Sequence, residues 1–186
     1  DYAPADFADA MDNFDRVLEL TGSVCDEVIA PAAESVDREG SHCSGGRVQY
    51  SQGTAQNLKV MHQAGLSGFG LPRQYGGLNM PVTVFSAVGE MISRADASFQ
   101  NVWGLQSCAD TINECGSPEQ KEKYLKMASE GATMSMDLTE PDAGSDLQSV
   151  MLKATEDVEN GCWRLNGVKR FITNGDGDIS LVLART

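Results

Sequence analysis

The sequence predicts an α+β chain, with an all-α N-terminal part over residues 1–131 and a β-rich part over residues 132–186. Three observations carry this. Apolar residues recur every three to four positions up to about residue 131 and every second position afterwards. Helix caps and proline breakers punctuate the first part. Asn-Gly and Gly-Asp turn signals crowd the second.

In the first part, Phe7, Met11, Phe14, Leu18, Cys25 and Ile29 fall on one helical stripe, which Pro31 is expected to end. Residues 35–53 are polar and rich in Gly and Ser, and predict a loop. Residues 54–64 predict a shorter helix closing at Gly65. Residues 68–77 are a connector full of breakers, and their glycine spacing is not that of a dinucleotide-binding turn. Pro81 opens a helix with Val84, Phe85, Val88, Met91 and Ile92 on its apolar face. Ser98 is expected to cap the next helix, which carries Phe99, Val102, Leu105, Ala109 and Ile112. Ser117-Pro118-Glu119-Gln120 reads as a capping box, with Tyr124, Leu125 and Met127 facing inward until Gly131. In the second part, residues 150–154, 162–165, 168–173 and 179–184 are strand candidates. Asn166-Gly167 is expected to be a hairpin turn and Glu159-Asn160-Gly161 a second one.

Composition excludes several classes of function. A formal net charge of -13 argues against nucleic acid and anionic membrane surfaces, which demand basic patches. No apolar run approaches the roughly 20 residues that cross a bilayer, and no basic region followed by an apolar core marks a signal peptide. The five cysteines include no CxxC pair and read as reduced, mostly buried thiols of a cytoplasmic protein. His42 and His62 cannot build a metal site with cysteines so scattered. The chain, with no initiator Met and a strand-like end at residues 181–186, reads as a piece of something longer.

The stretch Met136-Asp137-Leu138-Thr139-Glu140-Pro141-Asp142-Ala143-Gly144-Ser145-Asp146 is the most unusual. Pro141 must stop a strand ladder, Gly144 permits a turn that a Cβ would block, and Thr139 and Ser145 offer hydroxyls that donate and accept. Such a corner suits a ligand with a polar rim or a phosphate; a phosphate would bind backbone N–H and hydroxyl groups with the four acids pointing away, and the alternative is a solvated acidic turn of no function.

LTEPDAGSD at residues 138–146, followed by RLNGVKRFITNGDGDISLVLART at residues 164–186, resembles the paired flavin-contacting signatures of the acyl-CoA dehydrogenases. GLPRQYGGLNMP at residues 70–81 and CGSPEQKEKYLKMASEG at residues 115–131 are similar to that family's YGG turn and its helix entry. The resemblance implies a helical N-terminal domain followed by a truncated middle β-barrel domain, with FAD as cofactor and an acyl-CoA as substrate. It implies that Thr139 bonds the pyrimidine edge of the flavin and that Thr173 donates to N5 through its hydroxyl or backbone N–H. Met136, Leu138 and Ile172 would line the ring, and Phe171, where the family often has Trp, would pack on it. Ser145 would meet cofactor and the pantetheine or phosphates of CoA. The region from Trp103 to Cys108 would border the acyl cavity.

The resemblance also implies an electron-transfer flavoprotein as partner and a homodimer or homotetramer. The general base would be a Glu on a later helical domain, not Glu140 or Asp146, so residues 1–186 alone are expected to be inactive. Asp137, Phe171 and the turn at residues 175–179 look more like the longer-chain, methylthiopropanoyl-CoA dehydrogenase-like branch. An acyl-CoA oxidase, a flavin monooxygenase or a non-catalytic interaction module are the competing readings, and reactivity with O₂ and the presence of flavin separate them.

Overall fold

The computed structural model describes residues 4–186. Among the described residues the order of elements is α+β: eight α-helices, a small hairpin inserted between the second and third, and two further strand pairs at the C-terminal end. Asp6 caps α1 (Phe7–Val24), its carboxylate accepting from the Asp9 N–H. The chain then passes without a break through a π-helical turn, Cys25–Ile29, into α2 (Ala30–Glu39). Pro31 therefore does not end the helix. It lies in the first turn of α2, just after the π-turn has shifted the hydrogen-bond ladder, where a missing N–H costs little. Of the expected stripe, Phe7 and Met11 are exposed at the tip, and the buried part begins with Thr21, Val24, Cys25 and Ile29.

The region read as a loop contains the end of α2 and an antiparallel hairpin, β1 (His42–Ser44) with β2 (Arg47–Gln49). Gly45 and Gly46, at φ 60° and 76°, make its turn. Ser51 then caps α3 (Gln52–Gln63), which closes with Gly65 in the left-handed region at φ 74°.

Pro81 occupies the cap position of α4 (Val82–Ala95). The cap of α5 (Ala97–Trp103) is Asp96, not Ser98: the Asp96 carboxylate accepts from the N–H groups of Ser98 and Phe99 and from the Ser98 hydroxyl. A carboxylate is the stronger acceptor at a helix N-terminus, so it takes the position. After α6 (Cys108–Cys115), Ser117 and Gln120 form the reciprocal capping box at the start of α7 (Pro118–Gln120). A second π-turn, Lys121–Leu125, leads into α8 (Lys126–Ser129).

Two apolar clusters hold the elements together. The first joins α1, the π-turn after it, α3, α4 and α5 through Val24, Ile29, Met61, Ile92, Phe99 and Trp103. The second joins the α6–α8 region to the strands through Leu71, Cys108, Ile112, Leu125, Met134 and Ile179. Cys25 and Cys108 are buried thiols, but Cys43, Cys115 and Cys162 are exposed, against the expectation for most of them.

The β-part is built from β3 (Met134–Asp137), β4 (Lys153–Asp157), β5 (Cys162–Asn166) and β6 (Ile179–Val182). β3 pairs in parallel with β6, and β4 pairs antiparallel with β5. The β4–β5 turn is the Glu159-Asn160-Gly161 one, with Gly161 at φ 61°. Asn166-Gly167 makes no hairpin. Gly167 is there because a Cβ would stand 2.8 Å from Leu152 Cα, a close approach between chains. Residues 168–173 form no strand either, because Phe171 adopts φ 59° and breaks the pleat. Among the described residues no helix is long and apolar enough to cross a membrane, and no cluster of three His, Cys, Asp or Glu could hold a metal.

Candidate functional site

β3 carries the chain from the helical part into the corner. Met134 and Ser135 are buried, and Met136, Leu138 and Thr139 are half-buried as the strand emerges. Pro141 and Asp142 form a tight turn, closed by the Glu140 N–H to Ala143 O at 2.8 Å and the Ala143 N–H to Glu140 O at 3.3 Å. Gly144 and Ser145 follow on the surface, with the Thr139 methyl about van der Waals distance from where a Gly144 Cβ would sit (3.8 Å).

The acids do not behave as four equivalent solvated groups. Glu140 is buried, with its side chain 8% exposed. Its carboxylate accepts from the Met151 N–H at 2.6 Å, the Leu152 N–H at 2.9 Å and the Lys169 ammonium at 2.9 Å. These donors, the Met151 N–H foremost and then Lys169, hold its pKa down at about 2. Sequence reasoning took it for a solvated turn acid, because nothing local shows that partners 11 and 29 residues away converge on it. A carboxylate so strongly held in its charged form is no general base near neutral pH. Asp146 is engaged too, accepting from the Gln148 N–H at 3.1 Å and the Ser149 hydroxyl at 2.5 Å.

Lys169 and Arg170 tie the second motif to the first. The Lys169 ammonium, only 9% exposed, donates to Leu138 O at 2.9 Å as well as to Glu140. The Arg170 N–H donates to Thr139 O at 2.9 Å. The chain then turns at Phe171, whose ring is 79% exposed, under the Arg170 guanidinium at 4.7 Å. Ile172 is half-buried and Thr173 exposed. Asn174 closes the segment in the left-handed region at φ 55°, with its side-chain N–H donating to Met134 O at 3.0 Å.

Of the seven residues singled out from sequence, six are thus brought onto two adjacent segments. Met136, Leu138 and Thr139 lie on β3 and its exit, and Phe171, Ile172 and Thr173 lie on the loop bonded to that exit. Ser145 stands apart on the exposed limb of the corner and makes no hydrogen bond to the loop. Among the described residues, the backbone N–H groups of Thr139, Ile172 and Thr173 have no protein acceptor. Ile172 and Asn174 also line a cavity of about 450 Å³ with Tyr50, Ser98 and Val102. Trp103 and Gln106 face Thr133 and Met134 across a small cavity of about 30 Å³. Sequence reasoning missed Lys169, Asn174 and Tyr50. The first two lie inside the second motif, but only their long-range partners mark them as anchors.

The chain is similar to known proteins over nearly all of its length. A family model described as the acyl-CoA dehydrogenase N-terminal domain matches residues 13–132, and one described as the middle domain of the same family matches residues 135–186. The chain is 36% identical over 183 residues to the 3-methylmercaptopropionyl-CoA dehydrogenase of Ruegeria pomeroyi, covering 95% of this chain and 31% of that protein. It resembles a solved acyl-CoA dehydrogenase complexed with FAD from Bacillus anthracis, at a TM-score of 0.78 and 27% identity over 93% of this chain and 28% of the other. It is similarly close to a chain from a structure described as an electron transferring flavoprotein of Acidaminococcus fermentans, at a TM-score of 0.79 and 27% identity over 93% of this chain and 43% of that one. The chain therefore spans less than half the length of each. With two family models matching in order over nearly all of its residues, the chain belongs to the acyl-CoA dehydrogenase family.

Proposed function

We propose that residues 1–131 are the helical N-terminal domain, and residues 132–186 the first part of the middle domain, of a FAD-dependent acyl-CoA dehydrogenase. The whole protein would oxidise an acyl-CoA to the 2,3-enoyl-CoA and pass the electrons to an electron-transfer flavoprotein, in the cytoplasm and as a homo-oligomer. The relative named for an acyl-CoA substrate and the similar structure named for FAD support this reading. The similar chain described with an electron-transferring flavoprotein supports the partner.

The observation that carries it is the joining of the two motifs. The Arg170 N–H on Thr139 O sets two segments side by side with unpaired N–H groups at Thr139, Ile172 and Thr173 and an exposed aromatic ring at Phe171. An isoalloxazine ring has the complementary surface: an aromatic face and an edge of hydrogen-bonding nitrogens and carbonyls. In this reading Met136, Leu138 and Ile172 give the apolar floor and Phe171 the packing face. Thr139 and Thr173 give the donors, and Ser145 meets cofactor and the CoA chain. Bound FAD would supply the acceptor for the hydride leaving the β-carbon. The part played by these residues is to orient the ring and hold donors fixed where charge grows during reduction. The α-proton needs a base, and neither motif acid suits that task, since Glu140 is committed to its three donors and Asp146 to its own turn. A following helical domain would supply it, so residues 1–186 alone would not turn over substrate.

The test is spectroscopic. The whole protein purified with FAD is expected to be yellow and to bleach anaerobically with one of butyryl-, isovaleryl- or 3-methylmercaptopropionyl-CoA. Slow reoxidation by O₂ separates a dehydrogenase from an oxidase or monooxygenase. A protein that folds and never retains FAD refutes the proposal.

A further inference from the structure

The hairpin β1–β2 is attached to the helical part, yet it reaches the loop that follows Thr173. The Val48 N–H donates to the Asp176 carboxylate at 2.9 Å, and Arg47 forms an ion pair with it at 3.4 Å. Tyr50, immediately after β2, donates its hydroxyl to the side-chain carbonyl of Asn174. Asn174 spends its other side-chain group on Met134 O at 3.0 Å, and its backbone carbonyl accepts from the Gly177 N–H at 2.8 Å. Tyr50 is itself fixed from the next residue on, because Ser51 caps α3 and bonds the Thr54 hydroxyl at 2.9 Å.

Asn174 holds φ 55°, a conformation that Asn tolerates better than most residues but that still needs support. The three residues Phe171-Ile172-Thr173 are thus clamped at both ends. Lys169 and Arg170 bind the β3 exit on one side. Asn174 spans the start of β3 and Tyr50 on the other. The second clamp is the one that crosses from the helical part, over a separation of 124 residues.

We propose that Tyr50 and Asn174 are positioning residues for the Phe171–Thr173 loop, so that the inserted hairpin, through Tyr50, sets where the Thr173 donor stands. This rests on the flavin-enzyme reading above for its catalytic consequence, though not for the clamp itself. Burial pushes the Tyr50 phenol up from its ordinary range, so the hydroxyl stays protonated and remains a donor. A donor at an oxidation site acts through its placement, and a displacement of about 1 Å can cost on the order of 100-fold in rate. Loss of one hydrogen bond at the far end of the loop displaces it less, so about a 10-fold loss is expected.

Two variants of the whole protein test this: Tyr50→Phe, which removes only the hydroxyl, and Asn174→Gly, which keeps the left-handed turn permitted and removes the side chain. Hydrogen exchange at the Gly177 amide, which donates to Asn174 O, is expected to quicken about 10-fold in both, as for loss of one hydrogen bond. Amides of α4 serve as the reference and stay as in the parent. With FAD bound, stopped-flow reduction by the acyl-CoA that bleaches the parent is expected to slow about 10-fold, with FAD retention and acyl-CoA affinity unchanged. Unchanged exchange at Gly177 in both variants overturns the clamp. Faster exchange with an unaltered reduction rate overturns the positioning role. If the parent itself takes no FAD, the function proposed above fails, and the exchange measurement alone still decides the clamp.

Discussion

Removing the Phe69 ring tests what fixes the helical wall beside the site. Phe69 is 0% exposed and meets two other rings: Phe85 at 5.7 Å and 57°, and Trp103 at 6.0 Å and 75°. Phe85 and Trp103 stack on each other at 5.3 Å and 18°, which closes the triangle. Truncating a buried Phe to Ala costs about 3–5 kcal/mol in transfer and cavity terms together. Each tilted or edge-on ring pair adds about 0.5–1.5 kcal/mol beyond area. Phe69→Leu keeps most of the apolar filling and loses both ring pairs, so it is expected to cost about 2 kcal/mol. Phe69→Ala is expected to cost about 4 kcal/mol, a fall in Tm of about 8–16 °C for a chain of this size. Urea unfolding followed by far-UV circular dichroism measures both, provided the slope against denaturant is unchanged. A cycle combining Phe69→Leu with Trp103→Leu should show a coupling of about 1 kcal/mol. If Phe69→Leu costs close to nothing, or the coupling is absent, the rings are filling space and the geometry contributes nothing.

Two further outcomes follow from single features. Glu140 is charged in the fold down to about pH 2, against a usual carboxyl value of 4.5. The unfolded chain takes up that proton first, so the stability Glu140 contributes is complete above pH 4.5 and is lost as pH falls toward about 2. The stability difference between the parent and Glu140→Gln should therefore shrink across that window, and a difference constant with pH in urea titrations refutes the role of its donors. Gly77→Ala places a Cβ 2.1 Å from the Leu71 carbonyl oxygen, a backbone atom that cannot swing aside. It should destabilise by more than the roughly 1 kcal/mol that Gly→Ala can return through the unfolded chain, and an unchanged urea midpoint would show that the turn relaxes freely.

Much of the helical part was legible because its signals are local. The Ser117–Gln120 capping box, the Gly65 stop and the buried face of α4 each rest on residues within two turns of one another. Pro31 misled because a π-turn shifts the ladder by one residue, and nothing in the residues Cys25–Ile29 marks such a turn. The β-part offered two turn signals six residues apart, and only pairing chose between them. Asp157 accepts from the Asn160 amide at 2.9 Å and the Arg164 guanidinium at 2.6 Å, which anchors the Glu159-Asn160-Gly161 turn. Periodicity also read residues 168–173 as a strand, since alternation cannot show that Phe171 leaves the pleated region. The residues proposed for the site were named through the family resemblance alone. Their anchors could not be named, because Tyr50 and Asn174, or Glu140 and Lys169, meet only once the chain has folded.

Those anchors explain how so exposed a site stays ordered. Phe171, Thr173 and Ser145 are on the surface, so apolar burial does little to hold them. Neither strand pair is long, four residues each in β3–β6 and five in β4–β5, and a two-stranded ribbon is marginal by itself. What fixes the backbone is a set of side chains that take the place of missing ladder partners. Glu140 accepts from Met151 and Leu152, Lys169 and Asn174 donate to Leu138 O and Met134 O, and Arg185 donates through Nε to Val150 O at 2.5 Å. Each satisfies backbone groups that would otherwise be left without partners where the strands end. Polar anchoring of this kind needs no second sheet on the outer side. The face carrying Phe171 and the free N–H groups is therefore both ordered and open, which the flavin-binding role proposed above requires of it.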